Sequence, residues 1–102
     1  MTLTHKDKEA IKQKVAESLA REQEVTRVVV FGSFVYSPNP HDLDVAVFQD
    51  SNEHYLPLAL RYRRDLRSVA RQIPLDVIPL MSAPADDPFL AEIEQGETIY
   101  ER

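Results

Sequence analysis

Apolar residues follow two different spacings in the first third of the chain. Ile11, Val15 and Leu19 recur every four positions, and this spacing predicts an amphipathic helix over residues 4–21. Residues 25–31 are mostly β-branched and apolar, which predicts a strand buried on both faces of a sheet. The chain therefore begins with a helix followed by a strand.

The rest of the chain continues this alternation. Gly32 breaks the first strand, and Ser33 can begin a short helical turn that ends at the proline-rich loop after it. The remaining predicted elements are a strand over 43–48, a helix from about 55 or 57 to 72, a strand over 75–78, a helix over 88–95 capped by Asp86 or Asp87, and a short edge strand over 98–100. We expect the third helix to offer five apolar side chains to the core: Leu56, Leu60, Leu66, Val69 and Ala70.

This order of elements predicts an α/β (α+β) fold, with a small mixed β-sheet and helices packed on it. At 102 residues the chain is near the commonest domain size, so we expect a single domain over residues 1–102. Only two glycines occur, and no Gly-Lys-Ser or Gly-Lys-Thr phosphate loop is present. The glycine-rich turns of the common nucleotide-binding folds are therefore excluded.

Composition narrows the class of protein. Apolar residues make up 43% of the chain and charged residues 28%, a balance that is ordinary for a globular protein. No apolar stretch approaches the ~20 residues of a membrane span, and the absence of cysteine excludes disulfides and cysteine metal sites. We therefore expect a cytoplasmic protein with no membrane partner.

Charge bears on the possible partners. The net charge is −5 and the pI is about 5.1, which argues against nucleic acid as the main partner, because gripping a phosphate backbone needs several lysines or arginines. Positive charge is nevertheless concentrated in one segment, at Arg61, Arg63, Arg64, Arg67 and Arg71. A solvated helix face is the simpler interpretation of this cluster, and a surface for an anionic substrate or partner is the alternative.

Three aspartates stand in or beside predicted strands. Asp42 and Asp44 are two positions apart at the start of the second strand, so their side chains should project to the same face. Asp76 lies inside the third strand, where burial without a charged partner would be costly. Carboxylates so near to one another repel unless a cation lies between them. Their hard oxygen atoms are suitable ligands for Mg²⁺ or Mn²⁺. We therefore predict that the three aspartates bind metal and are catalytic.

The turn after the first strand supplies the second half of the candidate site. Gly32 lets the backbone approach a phosphate closely, and Ser33 offers a hydroxyl and exposed N–H groups, so both are candidate nucleotide-binding residues. In a two-metal arrangement Asp76 could deprotonate a hydroxyl that attacks in line. The alternative is an ordinary strand-to-helix turn, with aspartates that cap loops or face water.

In sequence order, Gly32-Ser33, Asp42-Leu43-Asp44 and Asp76 resemble the signature of the polymerase-β-like nucleotidyltransferases. The likeness extends over nearly the whole chain and is greatest to the minimal nucleotidyltransferases (MNT), which include the antitoxins of HEPN/MNT toxin–antitoxin pairs. The resemblance implies Mg²⁺ or Mn²⁺ as cofactor, an NTP such as ATP as substrate, and a HEPN-type protein or a second copy of the chain as partner. It also implies that Gly32 and Ser33 lie toward the nucleotide phosphates.

Two functions are consistent with this resemblance. The first is transfer of an NMP, AMP in the expected case, from an NTP to an acceptor hydroxyl, including a hydroxyl on a partner protein. The second is a binding module that masks a partner and has weak or no catalysis. Departures from the family pattern motivate the second, because residues 34–41 form a shortened loop and Val35-Tyr36-Ser37 stand where members carry an arginine and a glycine.

A phosphorylatable receiver-like signalling domain is a third interpretation, since such domains also gather acids at strand ends. It requires a lysine on a later strand, and no lysine occurs after Lys14. The three scattered histidines make no zinc pattern, and no nucleophile elbow is present. Nucleotidyl transfer and partner binding therefore remain the two leading hypotheses.

Overall fold

A computed structural model describes residues 2–82 and 90–102 of the protein. Its elements are α1 (His5–Ala20), β1 (Val25–Phe31), α2 (Ser33–Tyr36), β2 (Leu43–Gln49), α3 (Tyr55–Asp65), α4 (Arg67–Ala70), β3 (Leu75–Met81), α5 (Leu90–Glu94) and β4 (Glu97–Glu101). The predicted cap of the last helix by Asp86 or Asp87, and its predicted start at residue 88, lie outside the described residues.

The four strands form one mixed sheet in the order β3-β2-β1-β4. β1 pairs antiparallel with β2 and with β4, and β2 pairs parallel with β3. Asp44, near the start of β2, is in register with Phe31 at the end of β1 and with Asp76 near the start of β3. The sheet therefore brings the end of β1 and the starts of β2 and β3 to one edge.

Each face of the sheet carries a hydrophobic core. The larger core packs the sheet against α1, α3 and α4, and its most deeply buried members include Val15, Leu19, Val28, Val30, Phe34, Leu43, Val45, Tyr62, Leu66 and Val69. On the opposite face Ile93 of α5 packs among Val29, Phe31, Ala46 and Phe48. Burying one side chain of this size stabilises the fold by about 1.5–3 kcal/mol. Packing on both faces of the sheet therefore holds the strands in position.

α1 begins as the sequence predicts. The Thr4 side chain accepts a hydrogen bond from the Asp7 backbone N–H, and the Asp7 carboxylate accepts one from the Thr4 N–H at 2.9 Å. This reciprocal capping satisfies two N–H groups that the first helical turn would otherwise leave unpaired. Ile11, Val15 and Leu19 are buried, which confirms the predicted apolar stripe.

The single helix predicted over residues 55–72 is wrong in two respects. The helix is interrupted at Leu66, whose φ of −100° and ψ of 19° end α3 before α4 begins. Leu56 and Leu60 are 64% and 57% exposed rather than in the core, and Ala70 is exposed as well. Leu58 is buried, and residues two positions from it lie about 200° around a helix, so Leu56 and Leu60 turn outward.

β3 is longer than predicted, because it continues through Pro79 to Met81. A proline has no N–H to donate, so the sequence predicts that the strand ends before Pro79. β3 lies at the edge of the sheet, where one side of the strand needs no backbone partner, and a proline is tolerated there. In the described part of the chain no helix is both long and apolar enough to cross a membrane.

Candidate active site

Gly32 joins β1 to α2 in a conformation that favours glycine. Its φ is +75° and its ψ is −156°, a region that residues with a Cβ rarely occupy. A Cβ placed on Gly32 would lie 2.5 Å from Oδ2 of Asp44, far inside van der Waals contact. The glycine therefore allows the backbone at the start of α2 to lie against the Asp44 carboxylate.

Ser33 is the first residue of α2 and is partly exposed. The helix is a single turn, in which the Ser37 N–H donates to the Ser33 carbonyl at 2.8 Å and the Val35 N–H donates to the Gly32 carbonyl at 3.1 Å. Phe34 anchors this turn in the larger core, where it is almost fully buried. The Gly-Ser turn is thus held in place beside the starts of β2 and β3.

Asp44 is the most enclosed of the three predicted aspartates. It is partly buried on β2, an inner strand, and its neighbours Leu43 and Val45 are completely buried on the other face. Burial is the largest cause that raises the pKa of Asp44, followed by the negative charges of Asp76, Asp42 and Glu92. Negative charge at this position is therefore under-compensated in the protein alone.

Asp42 and Asp76 flank Asp44 at the same edge of the sheet. Asp42 is exposed immediately before β2, and the Leu43 N–H donates to the Pro74 carbonyl at 2.9 Å, which ties the start of β2 to that of β3. Asp76 is in register with Asp44 on the parallel neighbouring strand, close enough for their carboxyl groups to hydrogen-bond when one is protonated. The structure thus brings Asp44 and Asp76 together, with Asp42 beside them.

Asp76 differs from the prediction in its burial. The sequence predicted an acid that is costly to bury, but Asp76 is exposed because β3 is the edge strand. Asp44, on an inner strand, is the carboxylate that burial affects. Within residues 2–82 and 90–102, no three acidic or histidine side chains are arranged as a ready-made metal-binding group.

Carboxylate oxygens nevertheless fit a hard divalent cation at this edge. Mg²⁺ is commonly held by only one or two carboxylates, with waters and substrate phosphates as its other ligands, so a complete protein cage is not required. The Asp44–Asp76 pair supplies two such carboxylates on rigid strands. A cation beside them would also offset the burial and the carboxylate repulsion that raise the pKa of Asp44.

Glu92 is a residue of the site that the sequence did not indicate. Its neighbour Ile93 is buried in the smaller core, which places the exposed Glu92 of α5 near Asp44. A cavity of about 270 Å³ lies between Glu92, Gly32 and Tyr36. A glutamate on a short helix far along the chain gives no local signal, because only the packing of α5 brings it here.

A larger cavity of about 760 Å³ lies on the Asp76 side of the site. Asp44 and Asp76 form one wall, and α3 forms another with Tyr55, Leu56, Ala59, Leu60 and Arg63. The sequence placed Arg63 in a basic cluster without a link to the aspartates. The site therefore has two sides, one at the Gly-Ser turn and one at α3.

Comparison with known proteins identifies relatives of the chain. A family model described as polymerase beta, nucleotidyltransferase matches residues 13–102. Among solved structures, a chain in the crystal structure of the toxin–antitoxin MntA–HepT is similar with a TM-score of 0.64 at 18% identity, over 92% of this chain and 73% of that chain. A comparison with curated proteins found no match. The structural likeness confirms the predicted fold, a small mixed sheet with helices packed on it.

Proposed function

We propose, since this chain belongs to the polymerase-β nucleotidyltransferase family, that it transfers a nucleoside monophosphate from a nucleoside triphosphate to an acceptor hydroxyl. Transfer of AMP from ATP is the reaction we favour. The observation that carries the proposal is the partly buried Asp44 carboxylate, which lies against Gly32 on one side and Asp76 on the other. A carboxylate in that position can bind a cation, and the cation can bind a phosphate.

Asp42, Asp44 and Asp76 are the proposed ligands of Mg²⁺ or Mn²⁺. The bound cation would supply charge neutralisation for the triphosphate and for the developing charge at the α-phosphorus. The fit is supported by the hard oxygen donors and by the raised pKa of Asp44, which burial and neighbouring carboxylates cause. Rigid strands hold Asp44 and Asp76, whereas the exposed Asp42 lies just outside β2.

Gly32 and Ser33 are the proposed contacts for the nucleotide phosphates. The absence of a side chain at Gly32 leaves the backbone open to an oxygen of the substrate, and the Ser33 hydroxyl can donate to a phosphate oxygen. The Gly-Ser turn and Asp76 lie on opposite sides of Asp44. The triphosphate would therefore approach from the side of the turn, and the acceptor from the side of Asp76.

The reaction is a displacement at the α-phosphorus. The acceptor oxygen forms a bond to that phosphorus, the bond to the bridging oxygen breaks, and pyrophosphate leaves. Asp76, exposed on the acceptor side, accepts the proton of the attacking hydroxyl. Asp44 is the less suited base, because its more enclosed carboxylate is the better placed to remain a metal ligand.

A protein is the acceptor that we propose. The structural likeness is to a toxin–antitoxin protein, and the net charge of −5 disfavours a nucleic-acid acceptor. By this analogy the chain would act as an antitoxin that modifies a hydroxyl of a HEPN-type partner. A second copy of the chain is the alternative partner.

Label transfer from α-labelled ATP tests this proposal. With Mg²⁺ or Mn²⁺ and a HEPN-type protein as acceptor, we expect the label to appear on that protein and pyrophosphate to be released. Asp44→Ala should abolish transfer, whereas Asp50→Asn, an exposed aspartate just after β2, should leave it unchanged. Transfer that persists in Asp44→Ala would contradict the assignment.

A binding module without catalysis is the second candidate. It is favoured by the short segment between Ser33 and Asp42, residues 34–41, which lacks the arginine and the glycine that members of the family carry there. Under this function Asp44→Ala leaves both partner binding and inhibition of the partner intact. Measuring partner affinity and label transfer with the same variant separates the two functions.

A further inference from the structure

Exposed apolar side chains are concentrated on one side of α3. Tyr55, Leu56 and Leu60 are 56%, 64% and 57% exposed, and all three line the larger cavity beside Asp76. Among the described residues only two other large apolar side chains, Tyr36 and Met81, are this exposed. A cluster of this kind on a protein surface marks a binding surface more often than scattered apolar residues do.

The orientation of α3 is fixed from its other side. The Tyr62 hydroxyl donates to Glu24 at 2.7 Å, and Arg61 pairs with Glu22, Glu24 and Glu53, with the Glu24 and Glu53 contacts at 2.7 and 2.8 Å. Tyr62 is completely buried, as is Leu66 after the helix. Rolling α3 to bury Leu56 and Leu60 would break these contacts, so the outward apolar side is a stable feature of the fold.

Positive charge accompanies the apolar side chains. Arg63 lines the same cavity one turn after Ala59, and Arg64, Arg67 and Arg71 are exposed along the following residues. Arg61 is occupied by the three glutamates and adds nothing to this surface. In a chain of net charge −5, this segment therefore offers a local attraction for negative groups.

We propose that Tyr55, Leu56, Leu60 and Arg63 form an acceptor groove. Its occupant is a segment of a partner protein in which the hydroxyl-bearing residue is flanked by apolar and acidic side chains. The apolar flanks would cover Leu56 and Leu60, an acidic flank would pair with Arg63, and the hydroxyl would reach Asp76. This inference rests on the proposed nucleotidyl transfer, because that function requires an acceptor on the Asp76 side.

A protein segment fits the groove better than nucleic acid does. Leu56 and Leu60 offer apolar area rather than phosphate contacts, and Tyr55 is the single aromatic of α3 that lines the cavity. A nucleic-acid backbone carries a charge at every phosphate, so it would meet the lining carboxylates of Asp44, Asp76 and Glu92 as well as Arg63. A peptide can place an acidic side chain at Arg63 alone and set its apolar side chains on Leu56 and Leu60.

Two labelled peptides probe the groove directly. Each has one tyrosine flanked by leucines, and the outer residues are glutamates in one peptide and lysines in the other. By fluorescence anisotropy with Mn²⁺ and a non-hydrolysable ATP analogue, we expect the acidic peptide to bind at least about tenfold more tightly. Equal binding of the two peptides, or tighter binding of the basic one, would overturn the proposal.

Variants of exposed residues locate the binding. Leu60→Asp should weaken the acidic peptide by about tenfold or more, and Arg63→Glu should reverse the preference between the peptides. Arg71→Glu, an exposed arginine away from the cavity lining, should change affinity much less. The melting temperature of each variant checks that it is folded. An effect of Arg71→Glu equal to that of Arg63→Glu would overturn the groove assignment.

The same binding experiments would detect two other possible occupants of the groove. A single-stranded oligonucleotide that binds more tightly than the acidic peptide and depends on Arg63 would replace the protein acceptor. A dimer of the wild type that becomes a monomer in Leu60→Asp would mean that a second copy covers the groove. Either result overturns the proposal.

Failure of the groove can be told apart from failure of the proposed function. A melting temperature that rises with Mn²⁺ and ATP in wild type and in Leu60→Asp shows that the nucleotide side is intact. If that rise occurs without any peptide preference, the groove is wrong and nucleotide binding stands. If the acidic peptide binds but no label is transferred to it from α-labelled ATP, the groove stands as a docking surface and the transfer is wrong.

Discussion

Asp44 is the residue on which the candidate site depends. It is held on an inner strand, closely approached by the Gly32 backbone and in register with Asp76. Each of these neighbours disfavours a lone negative charge, either by excluding water or by adding another carboxylate. The fold therefore holds a carboxylate whose charge a bound cation would neutralise.

Neutralising Asp44 should stabilise the metal-free protein. In Asp44→Asn the cost of burying charge and the repulsion from Asp76 disappear, so we expect the melting temperature to rise by roughly a few degrees. Mn²⁺ should raise the melting temperature of the wild type and not that of the variant. Differential scanning calorimetry with and without Mn²⁺ measures both effects. A variant less stable than the wild type without metal would count against this picture.

Adding a methyl group at Gly32 should damage the fold and the site together. Gly32→Ala forces a Cβ into a φ of +75° and toward Oδ2 of Asp44, so we expect a loss of about 1–3 kcal/mol in the free energy of unfolding. The two causes separate in a double-mutant cycle with Asp44→Ala, measured by urea unfolding. If the clash contributes, the double variant loses less than the sum of the single losses. Strictly additive losses would show that backbone strain alone is responsible.

At the scale of elements, local patterns predicted most of the fold. The apolar stripe of α1, the β-branched run of β1 and the break at Gly32 are each encoded by adjacent residues, and their positions were predicted correctly. The interruption at Leu66 was missed because no proline or glycine stands there. The strand through Pro79 was missed because edge position is a property of the whole sheet.

The contact between the end of α1 and α3 should make stability depend on pH. A hydrogen bond with Asp65, then burial and the charge of Asp65, raise the pKa of Glu22 from 4.5 to about 7, and Arg61 opposes this rise. The folded state therefore holds the proton of Glu22 more tightly than the unfolded state. The stability that Glu22 contributes is complete below about pH 4.5 and is lost as the pH rises through about 7.

The variant Glu22→Gln tests this dependence. It cannot ionise, so its melting temperature should exceed that of the wild type at pH 8, by several degrees, and the difference should shrink or reverse at pH 5. Glu94→Gln replaces an exposed glutamate on α5 that has no part in this contact, and it serves as the matched control. Melting curves from pH 5 to 8 measure both differences. A constant offset for Glu22→Gln would show that Glu22 ionises normally in the fold.

At the scale of the whole molecule, the site is assembled from segments distant in the chain. That the three aspartates and the Gly-Ser turn lie at one edge of the sheet could be predicted, because each stands beside an apolar strand. The positions of Glu92 near Asp44 and of Arg63 in the cavity wall could not, because they follow from how α5 and α3 pack on the sheet. Local sequence therefore indicated the chemistry of the site, and tertiary packing determined its walls.

The location of bound Mn²⁺ tests the central claim most directly. Paramagnetic Mn²⁺ broadens the NMR signals of nearby amides, so a titration of ¹⁵N-labelled protein shows where the ion lies. We predict that the amides of Gly32, Asp44 and Asp76 broaden first, and that Asp44→Asn abolishes this effect. The amide signals of the second acidic cluster should stay sharp. This cluster lies near Arg61 and is formed by Glu22, Glu24, Glu53 and Asp65. Broadening centred on that second cluster, or unchanged by Asp44→Asn, would contradict the account.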